Sequence, residues 1–225
     1  SHYVFSYACR RKGVAMIVPV VMKAECRDTA EWAGVVGGKL VGKLYVDLSG
    51  GEAAVKANLP QLVNHIKSLI MGAAMRPLRG ARSRGVSRAY NLQTLTHRFA
   101  ESSVETKFGN TIASPWSSLS MLPVSAQTNT NGQLKWDVFL THDWGPPPEY
   151  ANHARVQRVC TALQASGFTC CLDDQQLGSR GGVAMESPMA SGVDHCTVVV
   201  CFITKNYIEK APGLALSGGD ANLYY

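Results

Sequence analysis

Three polar residues in a row, Thr141, His142 and Asp143, close the apolar run Val138, Phe139 and Leu140. A short buried parallel strand ending this way delivers a hydroxyl, an imidazole and a carboxylate to the carboxyl edge of a sheet, where open α/β sheets bind ligands. Further along, the Asp173 and Asp174 pair opens a polar, glycine-rich loop that runs to Gly182, and Tyr207 follows a second apolar run. These six residues are the candidate ligand contacts. Each also has a plainer role open to it: His142 capping the loop that follows, the two aspartates shaping a turn, Tyr207 packing as an aromatic. Glu209 is a further carboxylate whose reach depends on the helix that carries it. Other chemistries lack their spacing. Cys170 with Cys171 and His195 with Cys196 do not match a zinc site, and no glycine fingerprint cradles phosphate.

The elements that must position these groups follow from periodicity. Between Ala151 and Ser166, Val156, Val159, Cys160 and Leu163 form one stripe of a helix, with Arg155 and Arg158 on the other face and Gly167 as its stop. Phe168 to Leu172 reads as a short strand. Val183 to Val193 reads as a weak helix damaged by Pro188. Thr197 to Thr204 is apolar on both faces, so it belongs at the centre of a sheet covered by helices on both sides. The order is βαβαβ, which predicts a right-handed, doubly wound parallel sheet.

At these residues the chain resembles the Toll/interleukin-1 receptor (TIR) domain family, in particular its protist and algal members. The likeness rests on the order and spacing of several blocks. They are Trp-Asp-Val-Phe-Leu-Thr-His at 136–142, Leu-Gln-Ala-Ser-Gly-Phe at 163–168, the Asp173–Asp174 loop, Met-Ala-Ser-Gly-Val-Asp-His-Cys at 189–196 and Val-Val-Val-Cys-Phe-Ile-Thr-Lys-Asn-Tyr-Ile at 198–208. Earlier segments resemble the second half of the same domain. These are Phe5 to Lys12, Met16 to Met22, Glu31 to Gly34, Leu44 to Leu48, and a helical stripe of Val55, Leu59, Leu62, Val63, Ile66 and Leu69. The halves therefore stand in reversed order: 1–70 a C-terminal half, 133–225 an N-terminal half. Two readings follow, a piece of a tandem array or one circularly permuted domain. Together the halves make one five-stranded flavodoxin-like sheet with no strand duplicated, which favours closure within the chain; head-to-tail exchange between chains is the alternative. Charge is compatible, since 1–70 carries nine Lys/Arg against five Asp/Glu and 133–225 six against nine.

Residues 71–132 are rich in Ser, Thr, Asn and Gly and read as a basic, flexible linker with a short helix around Asn91 to Ser102. Arg76, Arg79, Arg82, Arg84 and Arg88 are its charge run; without aromatic interleaving or a binding module they read as solvated, and no nucleic-acid partner is expected. The longest apolar runs fall short of the roughly 20 residues a membrane span needs. All 7 cysteines sit largely inside predicted elements, the pattern of a reduced, cytoplasmic protein, and the net charge of +6 is modest.

The resemblance implies two activities, homotypic association that transmits signals and, in many members, cleavage of the NAD glycosidic bond. Cleavage depends on a Glu that holds the ribose hydroxyls and stabilises the positive charge as nicotinamide leaves. The aligned residue, just before Phe5-Ser6-Tyr7-Ala8, is Val4. Cys171 replaces an aromatic of the second strand, and Gly178 to Gly182 expands the loop after it. The expectation is a cytoplasmic signalling module that associates with other TIR domains or with itself and is catalytically inactive, requiring no cofactor. NAD hydrolysis is the alternative, with NAD as ligand or substrate contacted by Thr141, His142, Asp143, Asp173, Asp174 and Tyr207, and Glu209 as a substitute carboxylate.

Overall fold

Cys196–Ile203, here β6, is buried at every position but Thr197, because a strand apolar on both faces is stable only between two helical layers. A computed structural model of the chain describes residues 2–75, 127–128, 134–146, 150–172 and 186–210 and places β6 between two strands that lie far apart in the sequence. On one side lies β1 (Ile17–Val21), parallel, with Ile17 opposite Val199 and Val21 opposite Ile203. On the other lies β4 (Leu134–His142), also parallel, with Trp136 opposite Cys196 and His142 opposite Phe202. The two-residue β2 (Val46–Asp47) extends the β1 side and β5 (Cys170–Leu172) pairs with β4. The five parallel strands thus run β2-β1-β6-β4-β5, the α/β flavodoxin-like sheet expected from the sequence, and early and late residues share its central ladder.

Helices cover both faces. The early segment contributes α1 (His2–Lys12), α2 (Gly34–Leu40) and α3 (Gly51–Met75); the late segment contributes α4 (Ala151–Ala165), α5 (Glu186–His195) and α6 (Lys205–Glu209). Alternation along the strands sorts the core. Val18, Val20, Val138, Leu140, Val198 and Val200 face α3 and α4, whereas Ile17, Val21, Phe139, Val199 and Cys201 face α1, α2, α5 and α6. Each layer therefore joins helices of both segments. The α5 helix lies close on β4 because Gly192 has no side chain: a Cβ there would stand 2.6 Å from the Phe139 ring.

Three details differ from the expectation, and a fourth, a proline inside a strand, has its explanation in the sheet. Pro188 does not damage α5, because the helix begins at Glu186 and the first turn has no intrahelical partner for a proline N–H. Arg155 is not on a solvated face; it is half-buried and donates to the Met22 and Leu48 carbonyls at 3.0 and 2.9 Å. A further two-residue strand, β3 (Gln127–Thr128), runs antiparallel to the start of β4 inside the segment read as linker. Pro19 sits within β1, which a central strand should refuse, but β2 reaches only Val20 and Val21, so at Pro19 the strand is still an edge. The Asp173–Gly182 loop, the helix around Asn91 to Ser102 and the arginine run lie outside the described residues.

Candidate functional site

The path β4, α4, β5, α5, β6 crosses from one side of β4 to the other, so the sheet's switch point is at β4, the strand that ends in Thr141, His142 and Asp143. All three are buried, at 3%, 1% and 2% exposure. Successive residues of a strand point to opposite faces, so the three do not converge.

On the α6 side, Thr141 Oγ1 lies 3.3 Å from Tyr207 Oη. Tyr207 is positioned by the first turn of α6, where the Thr204 hydroxyl caps the helix by accepting from the Tyr207 amide at 3.1 Å. Its ring meets Phe5 of α1 edge to face, 6.4 Å between centroids. Burial pushes the Tyr207 phenol well above its ordinary range. Asp143 turns the same way: Oδ1 accepts from Lys210 Nζ at 2.5 Å and Oδ2 from the Gly145 amide at 3.0 Å. The carboxylate is almost fully enclosed while Lys210 is mostly exposed, so the lysine covers the acid from the solvent side.

On the α4 side, His142 Nε2 meets His153 Nδ1 at 2.7 Å, and the Gln157 amide nitrogen lies 2.9 Å from His153 Nε2. With the amide donating, His153 carries its proton on Nδ1 and gives it to His142 Nε2. Burial, then the neighbouring His153, pushes the His142 imidazole down to about 3, so it is neutral at physiological pH. Trp144 completes a near-parallel group of rings, 4.5 Å from His153 and 6.4 Å from His142, and Tyr150 meets it edge to face at 5.7 Å. Trp144 and Tyr150 are the exposed members, at 40% and 41%. Asn152 holds the turn by donating to the Asp143 carbonyl, and Tyr150, at φ 43°, leads into α4 in the left-handed region.

The candidate contacts therefore divide. Thr141 and Tyr207 are brought together, Asp143 lies on their side under Lys210, and His142 belongs to a separate cluster with α4. Asp173 and Asp174 lie outside the described residues. Glu209 is at the end of α6, 60% exposed, 3.9 Å from Lys205. Val4 is 3% exposed and packs in the core shared by α1 and α6. His153, Gln157, Asn152 and Lys210 were missed by sequence reasoning. A signal for two of them exists: counting back four and three from Val156, the helical stripe lands on Asn152 and His153, polar residues on the buried face opposite a strand's polar end.

As it stands, Thr141, Asp143 and His142 each have an internal partner: hydroxyl with phenol, carboxylate with ammonium, imidazole with imidazole. A proton-transfer role for Asp143 would require Lys210 to leave first. None of the curated proteins and none of the solved structures matches the chain. Residues 138–216, from the middle of β4 to beyond the end of α6, match the TIR domain family model.

Proposed function

We propose that the chain is a TIR-type signalling module of the protist and algal kind, acting by association with other TIR domains or with a second copy of itself, and that it does not cleave NAD. The observation that carries this reading is Val4. At the position where the resemblance puts the charge-stabilising glutamate, a buried isopropyl group lies in α1 beside Phe5, whose ring packs on Tyr207. An alkyl group offers nothing to the positive charge that develops as nicotinamide leaves. The internal pairing of Thr141, His142 and Asp143 supports the same reading, because a scaffold needs these groups only to shape its loops.

Residues 1–70 and 133–225 are read as complementary parts of one unit in reversed order, with 71–132 as the tether; the support is the ladder that joins β1 to β6. The 7 free thiols suit a reducing compartment, and we place the protein in the cytoplasm. The test uses the purified chain. Incubated with NAD it should release no nicotinamide above the buffer rate, while sedimentation should show concentration-dependent association. Turnover that disappears in Glu209→Gln or Asp174→Asn would overturn the reading in favour of an NAD hydrolase.

A further inference from the structure

The corner opposite the candidate site, at the amino edge of the sheet, has a different surface. Leu40 ends α2 inside the core, and the chain then turns outward through Val41, Gly42, Lys43 and Leu44. Val41 is 55% exposed and Leu44 85%, so two aliphatic side chains stand in water at one tight turn, reversed by Gly42 at φ 76°. The turn is fixed from below. Lys43 reaches back and donates to the carbonyls of Val14 and Ile17, tying the loop to the start of β1.

Around the aliphatic tip the charges of the described residues are mainly basic. Exposed Lys39 precedes it, and α1 ends beside it with Arg10, Arg11 and Lys12; Lys39 and Lys43 both act electrostatically on Cys9 in that last turn. The acid facing this group is Asp194, already held by Tyr7 and Arg11. The carboxyl edge is mixed by contrast, with Lys23, Glu25, Arg27, Asp28, Glu31 and Asp47 following one another around β1 and β2.

We propose that this corner docks on the surface of an anionic lipid bilayer, Leu44 and Val41 entering the headgroup boundary while Arg10 and Lys39 face the lipid charges. Three observations select this occupant. Cations alone would suit any polyanion, but exposed aliphatic tips gain by leaving water, which a phosphate backbone does not offer them. Single-stranded nucleic acid is instead gripped by aromatic platforms, and among the described residues the exposed aromatics Trp144 and Tyr150 lie at the other edge. A second copy would have to present a matching acidic surface, and the carboxyl edge is mixed in charge. Docked in this way, the amino edge faces the membrane and the carboxyl edge is left open to a protein partner.

The test is co-sedimentation of the full chain with vesicles of phosphatidylcholine alone or with added phosphatidylserine, at low and physiological salt. Binding is expected only to the anionic vesicles and should weaken as salt rises. Arg10→Glu and Lys39→Glu should each weaken it at least about fivefold, the loss expected for one cation near such a surface. Leu44→Ser should weaken it while leaving the salt dependence unchanged. All three positions are exposed, so unchanged thermal melts will show that the variants fold. No binding to anionic vesicles overturns the proposal, as does binding that all three variants retain in full. Preferential capture of duplex DNA, lost in Arg10→Glu and Lys39→Glu, overturns it in favour of nucleic acid.

Discussion

The two helical layers solve the same problem differently. Both must hold early helices to late ones across the β1 to β6 ladder. In the layer of α3 and α4 the polar clasp is half-buried: the Arg155 guanidinium of α4 donates to the carbonyls that end β1 and β2. In the layer of α1 and α5 the clasp is at the surface, where Asp194 accepts from Tyr7 at 2.9 Å and Arg11 at 2.7 Å while Lys12 donates to the Asp194 and Cys196 carbonyls. A half-buried donor satisfies groups that water cannot easily reach, whereas an exposed ion pair replaces water contacts nearly as good. The first clasp should therefore carry stability and the second mainly alignment.

Both clasps presuppose that the apolar ladder between them comes first. Phe202, fully buried and opposite both Val20 and His142, tests this most directly. Phe202→Ala should cost about 3–5 kcal/mol in chemical denaturation, and early and late segments should still unfold in one transition. Two separate transitions would break the picture of a shared core. Arg155→Met comes next, leaving the Met22 and Leu48 carbonyls without their donor. A loss of about 2–3 kcal/mol is expected by the same measurement; a loss no larger than that of Arg158→Met would remove the distinction between the layers.

The α4 layer also carries an acid sensitivity. The His142 imidazole is held at about 3 against an ordinary 6.5, so the unfolded chain binds this proton more readily than the folded one. The contribution is complete above pH 6.5 and is lost as pH falls toward 3, at up to about 1.4 kcal/mol per pH unit. Denaturation at pH 7.0, 6.0 and 5.0 should show the decline, and His142→Asn should flatten it. His65, also lowered by burial, adds in the same direction and should remain in the variant.

How much of this was legible in the sequence follows from which forces set each feature. The place of β6 was legible because Val198 to Ile203 is apolar at every position, and only a doubly covered strand tolerates that. The strand end at Thr141 to Asp143 was legible for the same reason in reverse, a break in an apolar run. Its division between two layers follows from strand alternation, yet the six candidates read in order look like one cluster. Lys210 was invisible because nothing local connects it to Asp143, 67 positions away. The buried Asp137 was likewise opaque: Thr169 of the neighbouring strand satisfies it at 2.7 and 2.8 Å, a partnership that exists only once β4 and the residues leading into β5 lie side by side.

The surface clasp gives the smallest expected effect and the sharpest control. Burial alone would raise the Asp194 carboxyl, but hydrogen bonds from Arg11 and Tyr7 and the charges of Arg11 and Lys12 outweigh it and hold it below the usual range. That preference arises at a site open to solvent, with Arg11 56% and Asp194 29% exposed, so screening removes most of it from the folding equilibrium. Arg11→Ala should therefore leave the denaturation midpoint unchanged within error at physiological salt. Lys12→Met removes the donor to two main-chain carbonyls in a part-buried place, and should cost about 1 kcal/mol. If Arg11→Ala proved as damaging as Arg155→Met, exposure would not be what separates the two layers, and α1 would have to be docked by charge rather than by Val4, Phe5 and Ala8.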